Sequence, residues 1–254
     1  MKVLNLFILS VVLIFCMTQL AFSENLSLQF DGKDDYVLCG TKNLPLGNDP
    51  RSGEAWVKTE SPDGYLGIFE YGTAGVNNSA FCLLTKGGSI VISQWGASVD
   101  VPVKLNDGKW HHLAVTHDGK NKQTIFFDGK AVGNWNQSLN SVVGIHIIGA
   151  CLDKAQQFFV GQIDEVRLWK VERTEAEIKD NMNKSMLGNE ANLVGNWNFN
   201  EGKGLTANDT SANKNHGELT NGTEWVKSDA PVESASVDLR GKITSLWGTI
   251  KIMQ

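Results

Sequence analysis

From Asn106 to Lys130 the chain reads NDGKWHHLAVTHDGKNKQTIFFDGK, and this stretch decides the fold class. Three Asp-Gly pairs, Asp107-Gly108, Asp118-Gly119 and Asp128-Gly129, punctuate it at intervals of about ten residues. Asp-Gly tolerates the positive φ that tight hairpins require. The runs between the pairs, His112–Thr116 and Thr124–Phe127, are β-patterned and read as strands. The spacing predicts an antiparallel meander of the kind found in a sandwich.

The same signals continue on both sides. Leu26, Leu28 and Phe30 alternate with Ser27, Gln29 and Asp31, the period of a half-buried strand. Asp31-Gly32 and Asp63-Gly64 add turns, and Ser89–Trp95 adds another strand-like run. One helix interrupts the pattern near residues 174–186. Thr174 and Glu177 form a capping box, and Ile178, Met182 and Met186 give an apolar stripe at spacing four. Leu193–Phe199 and Gly217–Leu219 then return to strand. The expected fold is all-β: a two-sheet antiparallel sandwich with one short helix, whose first and last strands share a core. No internal repeat is visible.

Composition narrows the class further. With 254 residues, 41% hydrophobic and 20% charged, the chain has ample material for a core and is not disordered. Its 26 glycines against 5 prolines suit many tight turns. The net charge of -5 and the lack of any basic run longer than two argue against a nucleic-acid or anionic-membrane surface.

Residues 1–23 read as a signal peptide. Lys2 supplies the positive start, Leu4–Met17 the apolar run, and Ala21-Phe22-Ser23 a small-residue cleavage site before Glu24. Cys16 invites a lipoprotein reading, but the bulky Phe15 precedes it where a small residue belongs. The mature chain is expected to be secreted or at the cell surface, with no transmembrane segment after cleavage. Residues 24–226 form the expected domain and 227–254 a tail. In that tail Ile243, Leu246, Trp247 and Ile250 recur at three and four, which predicts docking instead of a free linker. Cys39, Cys82 and Cys151 remain after cleavage. An oxidising compartment gives one disulfide and an odd thiol; the alternative is three small buried hydrophobes.

Several segments in order resemble the laminin G-like jelly-roll family of the concanavalin-A-like lectin/glucanase superfamily. They are Leu28–Val37, Glu54–Lys58, Asn106–Val115, Phe127–Lys130, Phe159–Trp169, Leu193–Gly202 and Asn215–Leu219. The resemblance covers about residues 25 to 226 and implies a jelly roll that binds through rim loops or a concave face. It also raises catalysis, because the superfamily includes glucanases that set carboxylates on alternate strand positions. Here Gln162 and Asp164 share a face, Glu165 points the other way by strand alternation, and Val166 and Leu168 follow. The acid/base pair is missing. No nucleophile elbow, zinc-binding helix or phosphate loop is present. His111 and His112 are adjacent in a strand, so their rings face opposite sides.

The stretch from Tyr65 to Trp169 is also similar to pentraxins. That resemblance implies calcium ligands at Asn77, Asn78, Asp153 and Gln157, with Cys151 standing where the family has a carboxylate. So poor a charge set implies weak calcium at most, and no other cofactor. The same alignment brings the loops of Cys82 and Cys151 together, so a disulfide between them would clamp the rim; pairing with Cys39, or none, is the alternative. Trp56, Trp110, Trp169 and Trp197 fall in family strand motifs and are expected in the core. Trp95 and Trp135 lie near strand ends, where they would stack on sugars or pack the rim. Six Asn-x-Ser/Thr sites begin at Asn25, Asn77, Asn136, Asn183, Asn208 and Asn221, and glycosylate only in a suitable host. The expected function is an exported, non-catalytic recognition or adhesion module binding glycans or an extracellular protein. The alternatives are a divergent carbohydrate-active enzyme and a purely structural surface protein.

Overall fold

A computed structural model describes residues 24–61 and 64–233. The signal segment 1–23, Asp63 of the Asp63-Gly64 pair and the apolar tail segment 242–253 lie outside the described residues. Along the chain run β1 (Leu26–Asp31), β2 (Tyr36–Cys39), β3 (Arg51–Lys58), β4 (Tyr65–Gly72), β5 (Ala80–Lys86), β6 (Ser89–Ser93), β7 (Ser98–Pro102) and β8 (Trp110–His117). There follow β9 (Lys122–Phe127), β10 (Lys130–Asn136), β11 (Ile145–Ile148), β12 (Val160–Trp169), helix α1 (Glu175–Asn181), β13 (Leu193–Trp197), β14 (Thr206–Ala207), β15 (Gly217–Thr220) and β16 (Glu224–Lys227). Among the described residues no helix is long and apolar enough to cross a membrane.

The meander expected of Asn106–Lys130 is β8–β9–β10, and its turns form for the expected reason. Asp128 (φ 49°) and Gly129 (φ 75°) are both left-handed, as a two-residue hairpin demands. In the preceding turn Asp118 Oδ1 accepts the backbone N–H groups of Lys120, Asn121 and Lys122.

Among the described residues the strands form two antiparallel sheets. The first runs β10-β9-β8-β3-β12-β1-β16, with β13 also paired to β12; the second runs β14-β15-β2-β11-β4-β5-β6-β7. β1 pairs with both β12 and β16, so the two ends of the described chain complete one sheet. Between the sheets lie Leu28, Phe30, Val57, Leu113, Val115 and Ile163 from the first, and Val37, Phe69, Phe81, Leu83, Ile90 and Ile92 from the second. Gly53 on β3 leaves the space that the Phe69 ring fills from the opposite sheet.

The helix is capped as expected. Thr174 Oγ1 accepts from Glu177 N at 3.3 Å, and Glu177 Oε2 accepts from Thr174 N at 2.8 Å. Ile178 packs on Ala114 and Phe126. The helix is shorter than its apolar stripe implies, because buried side chains of the first sheet claim the carbonyls past that point. Trp56 Nε1 donates to Met182 O at 2.7 Å, and Arg167 donates to Asn181 O and Lys184 O. Met186 joins a separate cluster with Trp169 and Leu193.

Candidate functional site

The register of the second sheet sets Ile147, Glu70, Cys82, Ser93 and Ser98 in one row across β11, β4, β5, β6 and β7. Their strand neighbours Tyr71, Phe81 and Ile92 are in the inter-sheet core, so the row faces outward. An exposed carboxylate would be ordinary there. Glu70, however, is 1% exposed, because the segment after β11 folds back over it. That segment is tied down by Gln157 O, which accepts from Gly67 N at 2.7 Å, and by Leu152 N, which donates to Glu70 Oε2 at 3.1 Å. Ala150, Leu152 and Ile147 pack with Cys82, Leu84 and Val91 in a second apolar cluster, against which Trp95 rests.

Beside this cover lies a hollow of about 230 Å³, lined by Tyr65, Glu70, Cys82, Ser93, Trp95, Ser98, Cys151, Gln156 and Gln157 among others. Burial pushes the Glu70 carboxyl up to about 7, although Leu152 N–H and the thiols of Cys82 and Cys151 hydrogen-bond to it and oppose the rise. Burial likewise lifts the Cys82 thiol well above the usual range and the Cys151 thiol to about 12. Both thiols are therefore protonated and unreactive at neutral pH. Four non-glycine residues of the surrounding loops are left-handed: Asn78 (φ 62°), Trp95 (φ 59°), Lys154 (φ 57°) and Gln157 (φ 57°). Such conformations cost about 1 kcal/mol or more apiece and concentrate where a loop must present a side chain.

The hollow gathers Trp95, Gln157, Cys82 and Cys151 from the sites read in the sequence. Asn77 packs its side chain against Gly96. Asn78 N donates to Trp95 O and its carbonyl accepts from Asn140 N, so this loop holds the Trp95 turn. Asp153 spends one oxygen on Ala155 N and the other on Gln156 Nε2, closing its own loop. Trp135 lies elsewhere: it packs on the inter-sheet core from β10, in the other sheet. Cys39, Cys82 and Cys151 are free buried thiols, so the bridge drawn from the pentraxin resemblance is not formed here. Glu70, Tyr65 and Gln156 were missed. A single acid within the apolar strand Leu66–Tyr71 was the signal that could have found Glu70.

Calcium takes six to eight oxygens and gains affinity from carboxylates. The four residues named for it offer one carboxylate, already bonded to its own loop, beside a protonated thiol. This donor set does not fit a firmly held calcium ion. Among the described residues, a group of three carboxylates occurs at Asp31, Asp34 and Asp35 in the β1–β2 turn. There Asp31 is engaged by Lys33 and Asp35 accepts from Asp31 N.

The two acids after Gln162 depart from the strand alternation. A register shift between Asp164 and Arg167, with Glu165 at φ 48°, places both Ile163 and Val166 in the core. Asp164 and Glu165 therefore both turn to the outer face, and both are buried there. Asp164 Oδ2 accepts from Ser228 Oγ at 2.7 Å, and burial raises its carboxyl well above the usual range. Glu165 pairs with Arg167 at 2.8 Å; Arg167 also meets Glu54 at 3.4 Å, and His112 stands 3.5 Å from Glu54 on the other side. Burial alone would raise Glu54, but His112 and the Arg167 charge hold it down to about 2. His111, on the opposite side of β8 from His112, stacks on Phe127 and bonds Asp107 and Asp128.

Comparison with known proteins agrees with this architecture. The sequence profile of the concanavalin A-like lectin/glucanases superfamily matches residues 31–179. C-reactive protein 3.3 of Limulus polyphemus is 29% identical over 156 residues, 56% of this chain and 64% of that protein. C-reactive protein 1.1 of the same organism is 28% identical over the same shares. The match thus spans just under two thirds of the length of these relatives. Among solved structures, a proposed carbohydrate-binding protein from Bacteroides ovatus superposes with a TM-score of 0.66 at 21% identity, covering 83% of this chain and 62% of that one. The native heptameric SAP-like pentraxin of Limulus polyphemus superposes with a TM-score of 0.55 at 15% identity, covering 82% and 97%. At these identities the structures share the fold. With more than half of its residues matched by the profile, the chain belongs to the concanavalin A-like lectin/glucanases superfamily.

Proposed function

We propose that residues 24–226 form an exported, non-catalytic recognition module that binds a glycan in the hollow beside Trp95. The observation that carries this reading is Trp95 itself, an aromatic held left-handed in the wall of a hollow that also offers hydroxyls, amides and a buried acid beside Leu84 and two thiols. An aromatic plane suits the C–H face of a sugar, and Ser93, Ser98, Gln156 and Gln157 offer donors and acceptors to its hydroxyls. None of the lining residues is Lys, Arg or His, which favours a neutral sugar over a sialylated or sulfated one. The name of the carbohydrate-binding relative from Bacteroides ovatus points the same way. Against a glycosidase role stand Asp164 and Glu165, both sealed beneath other residues and committed to structural bonds. A calcium ion on Asp153 and its neighbours would be a weak accessory. Secretion through residues 1–23, and a tail 227–254 that docks, complete the proposal.

The test is a glycan array probed with the secreted protein, followed by titration of each hit. Binding to neutral glycans that falls about tenfold in Trp95→Ala, with unchanged unfolding, supports the reading. Hits confined to anionic glycans, or hits indifferent to Trp95, overturn it.

A further inference from the structure

The first sheet carries its own outward row. Its register aligns Glu224, Gln29, Gln162, Lys58 and Trp110 across β16, β1, β12, β3 and β8. Leu28, Val57 and Ile163, their neighbours along the strands, lie in the inter-sheet core, so the row faces away from it. With strands about 4.8 Å apart, the row runs roughly 19 Å.

The middle of this row opens into a groove of about 450 Å³, lined by Gln29, Lys58, Glu60, Val160 and Gln162 together with small and hydroxyl residues. Val160 is the one apolar side chain lining it beyond glycine, so the groove does not suit an apolar protein face. Its polar groups are positioned by the protein and only partly used. Gln29 Nε2 donates to Phe30 O at 3.0 Å and Gly161 O at 3.1 Å, and Gln162 Oε1 accepts from Ser27 Oγ at 3.3 Å. Gln29 Oε1 and Gln162 Nε2 are left without a bond to any described residue, one an acceptor and one a donor. At the end of the row Trp110 is fixed as well. Its Nε1 donates to Asp229 Oδ1 at 2.5 Å, the oxygen that also holds Lys58 Nζ at 3.0 Å, and that ammonium lies 6.0 Å from the ring centroid.

A fixed aromatic ring, a cation and two amides in line across four strands match a ligand that repeats hydroxyls along its length. We propose that this groove is a second saccharide site, taking an unbranched neutral oligosaccharide laid across the strands from Trp110 towards Gln29. It lies on the opposite sheet from the Trp95 hollow and does not depend on it. The module would then carry one sugar surface on each outer face and could bridge two chains.

The experiment is calorimetric titration of the full chain with cello-, manno- and chito-oligosaccharides, from monosaccharide to hexasaccharide. In at least one series the affinity should rise about tenfold between disaccharide and tetrasaccharide. That gain should fall roughly fivefold in Gln162→Ala and in Gln29→Ala, each losing one hydrogen bond, and should persist in Trp95→Ala. Both glutamines are half-buried along the groove, and two independent variants guard against misfolding of either one. Absence of a length-dependent gain in every series overturns the proposal. So does a gain abolished by Trp95→Ala and untouched by both glutamine variants, and so does protection of the groove by a protein with no oligosaccharide bound.

Discussion

Glu70 and Cys82 stand directly opposite each other on β4 and β5, and the thiol hydrogen-bonds to the carboxyl group. Neither is remarkable in the sequence as a pair; together they make a buried acid–thiol contact on the outward face of a sheet. Its electrostatic consequence is measurable, because burial holds the acid protonated to about pH 7.

In the unfolded chain this carboxyl titrates near 4.5, so the folded state binds the proton more tightly. Its contribution is full below the unfolded value and is lost as the pH rises through 4.5 to about 7, by roughly 3 kcal/mol. Urea unfolding of wild type and Glu70→Gln across this range isolates the effect. Their difference should shift steadily in favour of the variant as pH rises and level off above neutrality; a constant difference counts against a buried acid.

The thiols of Cys39 and Cys82 are raised well above the usual range by burial, and Cys151 to about 12. Reduced native protein should therefore resist iodoacetamide at pH 8 and take up all three labels only when unfolded. Intact-mass measurement reads the count. A Cys82–Cys151 bridge, absent from this structure, would show instead as a single label on unfolding without reductant.

Arg167 is buried between Glu54 and Glu165 and also holds two carbonyls beyond the helix. Arg167→Ala strands two carboxylates and should cost about 3–5 kcal/mol in urea unfolding. The pH profile should move as well. Glu54 is held at about 2 against 4.5 unfolded, so its contribution exists above 4.5 and disappears as pH falls towards 2. The variant should unfold at a higher pH on acid titration. An unchanged acid midpoint would show that Arg167 does not hold Glu54 down.

A methyl group at Gly53 would collide with the Phe69 ring of the other sheet. Gly53→Ala should destabilise by about 1–3 kcal/mol, and combining it with Phe69→Leu should cost less than the two changes summed. Additive losses would mean that the glycine is not there for that ring.

Millimolar calcium should leave the melting temperature almost unchanged, in wild type and in Asp153→Ala alike. A site half-saturated at micromolar calcium would instead stabilise by about 4 kcal/mol at thousandfold excess. Scanning calorimetry with calcium and with chelator distinguishes the two, and a large shift that vanishes in Asp153→Ala would restore the metal.

Much of the fold is local and was legible as such. Asp128-Gly129 turns because its two residues are left-handed, Thr174 and Glu177 cap because they lie three apart, and Leu28 and Phe30 point inward because a strand alternates. These depend on contacts within a few residues, which a sequence displays directly. The helix end was not legible, because Trp56 and Arg167 reach it from strands far away in the chain. Nor was the face of Glu165, since a single left-handed residue in β12 reverses a period that the residue types leave intact.

The site divides in the same way. Trp95, Gln157, Cys82 and Cys151 were named from sequence, but so was Trp135, which like Trp95 stands near a strand end and yet lies in the other sheet. By itself the sequence determined a β-sandwich, its hairpins, its capped helix and a set of loop residues suited to binding. Only the tertiary structure decided that Glu70 meets Cys82, that Trp95 overlooks their hollow, and that Gln29, Gln162, Lys58 and Trp110 align on the opposite face. Those juxtapositions come from strand register, which is set by burying both sheets' apolar faces at once and is invisible to any short window of chain.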